Sequence, residues 1–73
     1  MARLHPLDPE LAASYKRRRR DVGWSQNDLA WAAGLTEAFV QRMETLRCPV
    51  SPEKRQALES ALERAEREAA VLA

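Results

Sequence analysis

The stretch Gln26-Asn27-Asp28-Leu29-Ala30-Trp31-Ala32-Ala33-Gly34-Leu35-Thr36-Glu37-Ala38-Phe39-Val40-Gln41-Arg42-Met43 decides the fold of this chain. Ser25 stands just before it with Asp28 three residues on, the spacing of a capping box with Asp in place of the usual Glu or Gln. A short helix is expected from there, carrying Leu29, Ala30 and Ala33 and stopping at Gly34, where a left-handed backbone conformation is easiest. Thr36 then caps a second helix, Glu37 to about Leu46, with Leu35 stapled onto Val40. Val40 and Met43 are spaced to share its buried face, and the small Ala30 lets the two helices cross closely. Two helices held at a steep angle by so tight a turn leave one of them able to project from the body of the domain.

On the N-terminal side, Asp8 and Pro9 read as an N-cap and first helical residue, and Glu10 sits near the positive end of the helix dipole. Leu11, Ala12, Tyr15 and Val22 follow helical spacing, and Gly23 stands just past the end, so a helix is expected over residues 9 to 21. Residues 1 to 7 contain a proline and no periodicity and are expected to form a flexible arm. On the C-terminal side, Cys48, Pro49 and Val50 end the helix begun at Glu37. Ser51 and Pro52 open another, which nothing after Pro52 interrupts and which is expected to run about 18 residues. In it Leu58, Leu62, Ala65, Ala69 and Leu72 recur at steps of four, three, four and three, a two-heptad seam suited to pairing with a second copy. The same spacing also lets Leu58 and Leu62 complete the core of one chain.

Length and composition bound the rest. Seventy-three residues, 45% apolar and 32% charged, make one small globular domain over residues 8 to 73. A lone Cys48 makes no internal disulfide and suits a reducing compartment, and neither a membrane-spanning stretch nor a signal-peptide apolar region is legible; the cytoplasm is expected. Catalysis and metal binding lack residues. The only histidine is His5 in the arm, Cys48 has no histidine near it, and no glycine-rich phosphate loop or scaffolded carboxylate pair is legible. Enzyme activity, a metal or a cofactor is therefore not expected. Net charge is only +1, but the run Lys16-Arg17-Arg18-Arg19-Arg20 concentrates positive charge within the first helix. Five successive helical residues point all round the axis, so only some of them can face one partner.

Over about residues 11 to 62 the sequence resembles the Cro and phage-repressor type of helix-turn-helix, the xenobiotic-response-element family. The resemblance rests on Gly23-Trp24-Ser25-Gln26-Asn27-Asp28-Leu29-Ala30, on Ala33-Gly34-Leu35-Thr36 and on Val40-Gln41-Arg42-Met43-Glu44. It implies an all-α, lambda-repressor-like domain of four to five helices that binds an inverted-repeat operator as a homodimer in a bacterial or phage-type cytoplasm, acting as a transcriptional repressor. It further implies that Gln26, helped by Ser25 and Asn27, contacts a phosphate at a helix N-terminus. Base-facing positions match Glu37, Ala38 and Gln41 or Arg42, and Arg42 is the strongest candidate for a bidentate grip on guanine. Thr36, Arg17, Arg19 and Arg47 complete the candidate DNA contacts. Arg19 and Glu44 match an architectural ion pair of the family, alongside Ala30, Gly34, Val40 and Met43 as structural positions.

The chain departs from that pattern in places. Glu37 stands where Gln is common, Arg18 where a core leucine is usual, and Leu46 where the turn often has glycine. Phe39 has two readings, contact with a thymine methyl or packing on the next helix. Trp24 is expected to plug the core between the first two helices, whereas Trp31 sits on an exposed position, as interface residues do. Trp31, Phe39, Glu37 and the near-neutral charge favour the alternative, a protein-interaction module on the same fold, of the antitoxin or antiactivator kind, with weak DNA binding, whereas Gln26, Arg42, Arg19 and the basic run favour DNA.

Overall fold

The structure, a computed structural model, describes residues 5–6, 9–46 and 49–72. Among these residues four helices carry the architecture: α1 (Pro9–Asp21), α2 (Gln26–Ala33), α3 (Glu37–Leu46) and α4 (Pro52–Leu72). The fold is all-α and compact. One two-residue antiparallel pairing accompanies the helices, β1 (His5–Pro6) against β2 (Pro49–Val50), with His5 opposite Val50 and Pro6 opposite Pro49. Neither proline has an N–H to donate, which keeps the ladder short. At residues 5–6 the pairing corrects the expectation of a free arm, because it ties that segment to the strand that leads into α4.

Local chemistry sets the helix ends. α1 begins at Pro9 with Glu10 in its first turn and Arg18, Arg19 and Arg20 in its last, the charge order that the helix dipole favours. It closes on Gly23 at φ +78°, with Gly23 N–H donating to the Arg20 carbonyl (3.0 Å) and Trp24 N–H to the Arg19 carbonyl (3.0 Å). That pair of bonds is a Schellman closure. α2 repeats it: Gly34, at φ +70°, donates to Trp31 O (3.2 Å) and Leu35 to Ala30 O (2.8 Å). A Cβ added at Gly34 would meet no atom within 4 Å. Glycine is therefore favoured there by backbone conformation and not by crowding.

The starts of the other three helices are capped by side chains. Both halves of the capping box form at α2, with Asp28 N–H donating to Ser25 Oγ (3.1 Å) and Ser25 N–H to Asp28 Oδ2 (2.9 Å). Thr36 Oγ1 accepts from Phe39 N–H (3.1 Å) at α3, and Ser51 Oγ accepts from Lys54 N–H (3.2 Å) at α4. Each cap satisfies a donor that a helix otherwise leaves orphaned in its first turn.

The core gathers one face from every helix: Ala12 and Tyr15 of α1, Leu29 and Ala30 of α2, Val40 and Met43 of α3, and Leu58, Ala61 and Leu62 of α4, with Val50 beside them. Trp24 and Leu35 pack against this cluster half-buried. Here the expected seam on α4 is corrected. Leu58 and Leu62 are completely buried within the chain and Ala65 is 6% exposed, so these three cannot line an interface with a second copy; Ala69 and Leu72 remain exposed. The heptad spacing splits because α1, α2 and α3 cover α4 only as far as about Glu66. From Arg67 to Leu72 every residue of the helix is exposed. No helix among the described residues is long and apolar enough to cross a membrane.

Candidate nucleic-acid interface

The arrangement of α2 and α3 is held by one buried carboxylate. Glu44, on the inner side of α3, accepts from Arg19 Nε at 2.8 Å and from Arg19 Nη2 at 3.0 Å, a bidentate pair between α1 and α3. The Glu44 side chain is 0% exposed and that of Arg19 10%. The guanidinium spends a third donor, Nη1, on the Trp24 carbonyl at 2.8 Å, fixing the loop between α1 and α2. Glu44 Oε1 also accepts from Gln26 Nε2 at 3.0 Å, which connects the first residue of α2 to the same carboxylate. Arg19 thus takes the architectural position and not a surface one. With three of its five N–H donors committed and its side chain 10% exposed, Arg19 has little surface left to offer a phosphate.

The outer face of α3 is open. Glu37, Ala38, Gln41, Arg42 and Thr45 are exposed, while Val40 and Met43 are completely buried on the opposite side. Ser25, Asn27 and Thr36 are exposed as well, and Gln26 is half-buried because Glu44 holds it. Ser25 and Thr36 spend their hydroxyl oxygens on helix caps, but each oxygen has a second lone pair and a proton to offer. Arg47 and Cys48 lie outside the described residues. Phe39 takes the packed position: it is half-buried against the core, and Lys54 Nζ of α4 lies 4.7 Å from its ring centroid. Trp31 is 81% exposed on α2.

The basic run of α1 resolves into three groups. Arg18, one of the noted departures from the helix-turn-helix pattern, turns to α4 and makes two ion pairs. Its Nη1 donates to both Glu59 oxygens at 3.1 Å, and its Nε and Nη2 donate to Glu66 at 2.8 and 2.9 Å. Arg18 holds the Glu66 carboxyl below its ordinary pKa. The stability this contact adds is present above the ordinary carboxylate range and is lost as pH falls below it, reduced by solvent because Glu66 is 40% exposed. Arg19 turns to α3. Lys16, Arg17 and Arg20 remain exposed and, with Ala13 and Asp21, line a shallow depression on the outside of α1.

Beside the Arg18 cluster the Tyr15 hydroxyl is buried with no hydrogen-bond partner among the described residues. Its pKa is pushed up to about 12, first by burial and then by the neighbouring Glu59. Sequence reading missed this cluster. Its one local sign is that Glu59 and Glu66 lie seven residues apart and so share a face of α4. A tie from α4 to α2 was also missed: Arg64 Nη2 donates to the Ala32 carbonyl at 3.1 Å and covers an acceptor at the end of α2. Among the described residues, no group of three or more His, Cys, Asp or Glu is placed to hold a metal ion.

The assembled surface is thus the N-terminus of α2 and the outer face of α3, braced from within by Arg19 and Glu44, with an unspent basic flank on α1. Comparison with family models, with curated proteins and with solved structures found no match for this chain.

Proposed function

We propose that the protein is a sequence-specific DNA-binding transcriptional regulator of the helix-turn-helix type, a repressor that binds an inverted-repeat operator as a homodimer with α3 in the major groove. The observation that carries this reading is the combination of a fixed α2–α3 pair with an uncovered polar outer face on α3. A helix can read base edges only if its side chains are exposed and its axis is held still by the rest of the fold. Glu37, Ala38, Gln41 and Arg42 meet the first condition. The Glu44 contacts to Arg19 and Gln26 meet the second.

On this reading the N-terminus of α2, with Gln26 and Asn27, receives a phosphate, and Arg42 pairs with guanine. Replacing Arg42 by alanine is expected to lower discrimination at one base pair of the operator by about 1–3 kcal/mol, roughly 5- to 150-fold, while binding to random duplex falls far less. Titration of both duplexes with the wild type and the variant checks this, and equal losses on the two would remove Arg42 from base readout.

A second reading rests on Trp31. An aromatic side chain 81% exposed on a helix, in a molecule of net charge +1, suits a protein-binding face, and an antitoxin- or antiactivator-like module would use it. Trp31→Ala separates the two. Under the regulator reading operator affinity stays within about twofold, as for a surface change away from the contact.

A further inference from the structure

We propose that Lys16 and Arg20 of α1 form a second phosphate-binding flank, continuous with the outer face of α3, which grips the DNA backbone beside the bases that α3 reads. The inference rests on the DNA-binding reading above and adds to it which members of the basic run engage the nucleic acid.

Helix phase decides which members of the run share a side with α3. Arg18 and Arg19 face different neighbours: Arg18 bonds Glu59 and Glu66 of α4, and Arg19 bonds Glu44 of α3. Successive residues of a helix are turned by about 100°. Going round α1 from Arg18 through the buried Tyr15 to Arg19, the next exposed side chains are Lys16, about 60° past Arg19, and Arg20, about 100° past it. Both are therefore on the side of the α1–α3 contact away from α4.

α3 has the same asymmetry. Phe39, beneath Lys54, faces α4, and on the other side of Glu44 come Gln41 and Thr45, both exposed. The flank of the α1–α3 pair that α4 leaves uncovered thus presents Lys16 and Arg20 next to the exposed side of α3. Arg17, a DNA contact in the expectation from family resemblance, is about 160° past Arg19 and points away from α3, so this proposal leaves it outside the flank.

Charge availability agrees with the phase. Arg18 and Arg19 direct guanidinium donors to partners within the chain, whereas Lys16 and Arg20 are exposed and line, with Ala13, Arg17 and Asp21, a shallow depression. A phosphodiester backbone suits two cations one turn apart, because each neutralised phosphate releases condensed counterions.

The test is the salt dependence of binding to two duplexes, the one enriched from random sequence by the wild-type protein and a scrambled control. For Lys16→Gln/Arg20→Gln, the slope of log K against log salt is expected to shrink by about 1.8 per bound protomer, at about 0.9 for each phosphate contact. The ratio of affinities for the two duplexes should stay within about threefold, and Arg17→Gln should change the slope by less than about 0.5. The thermal midpoint of each variant, expected to match the wild type because these side chains are exposed, shows that the fold is intact.

An unchanged slope in the double variant, or an equal decrease for Arg17→Gln, overturns the flank while leaving the role of α3 standing if Arg42→Ala still erodes sequence preference. Wild-type protein that binds neither duplex overturns both.

Discussion

Replacement of Glu44 by alanine is expected to destabilise the fold by about 3–5 kcal/mol, the cost of leaving a buried charge without its partner. Three N–H donors converge on this carboxylate, two from Arg19 and one from Gln26. Its removal leaves the Arg19 guanidinium, with a side chain 10% exposed, holding only the Trp24 carbonyl. The whole domain is worth roughly 4–11 kcal/mol at the usual 0.05–0.15 kcal/mol per residue. One substitution thus removes a large share of its stability, and a chain at the lower end would not fold. Urea unfolding should show a lower midpoint at unchanged slope. The pair Arg19→Met/Glu44→Leu is expected to recover much of the loss, since apolar replacement of a buried ion pair is often neutral or better. A loss below about 1 kcal/mol for Glu44→Ala would mean that the pair behaves as a solvated surface contact.

Leu62→Ala is the second large effect, at about 2–5 kcal/mol, the range for truncating a fully buried leucine. Leu62 is 0% exposed within one chain, so the loss should appear in full whatever the protein concentration. If Leu62 instead lay between two chains, the loss would depend on concentration by mass action. Leu72, 85% exposed ten residues further along α4, provides the contrast: Leu72→Ala should leave the stability of one chain within about 0.5 kcal/mol. Together the two variants separate the part of α4 that completes the core from the exposed part beyond it.

What the sequence made legible was local. Ser25 with Asp28, Thr36, Ser51 with Pro52, and the glycines at 23 and 34 each declare a helix end through chemistry confined to a few residues, and the helix bounds follow from them. The core positions Leu29, Ala30, Val40 and Met43 were legible for the same reason, because helical periodicity depends only on neighbours in the chain. Long-range partners were not. Arg18 reaches carboxylates 41 and 48 residues away, and nothing near Arg18 marks Glu59 or Glu66 as its target.

The α4 heptads misled for a different reason. Leu58, Leu62 and Ala65 at steps of four and three suit the core of one chain as well as a seam between two, and only the extent of α1, α2 and α3 decides where the core ends. The basic run had the same ambiguity, since the phase of α1 against α3 and α4 selects which of five neighbours are spent internally. The pairing of His5–Pro6 with Pro49–Val50 had no sequence signal, because two prolines in two short segments argue against a ladder. Arg19 with Glu44 was anticipated through family resemblance, and the structure adds the Gln26 contact that joins this pair to the start of α2.

The most direct test of the regulator reading is selection from random duplex DNA by the purified protein at near-physiological salt, followed by titration of the winner against a scrambled duplex as salt is raised. A dimeric regulator should yield an enriched inverted repeat with half-sites centred about 34 Å apart, bound at least ~10³-fold more tightly than the scramble. Absence of enrichment, with weak binding that vanishes as salt increases, would contradict it, since phosphate attraction alone would then remain.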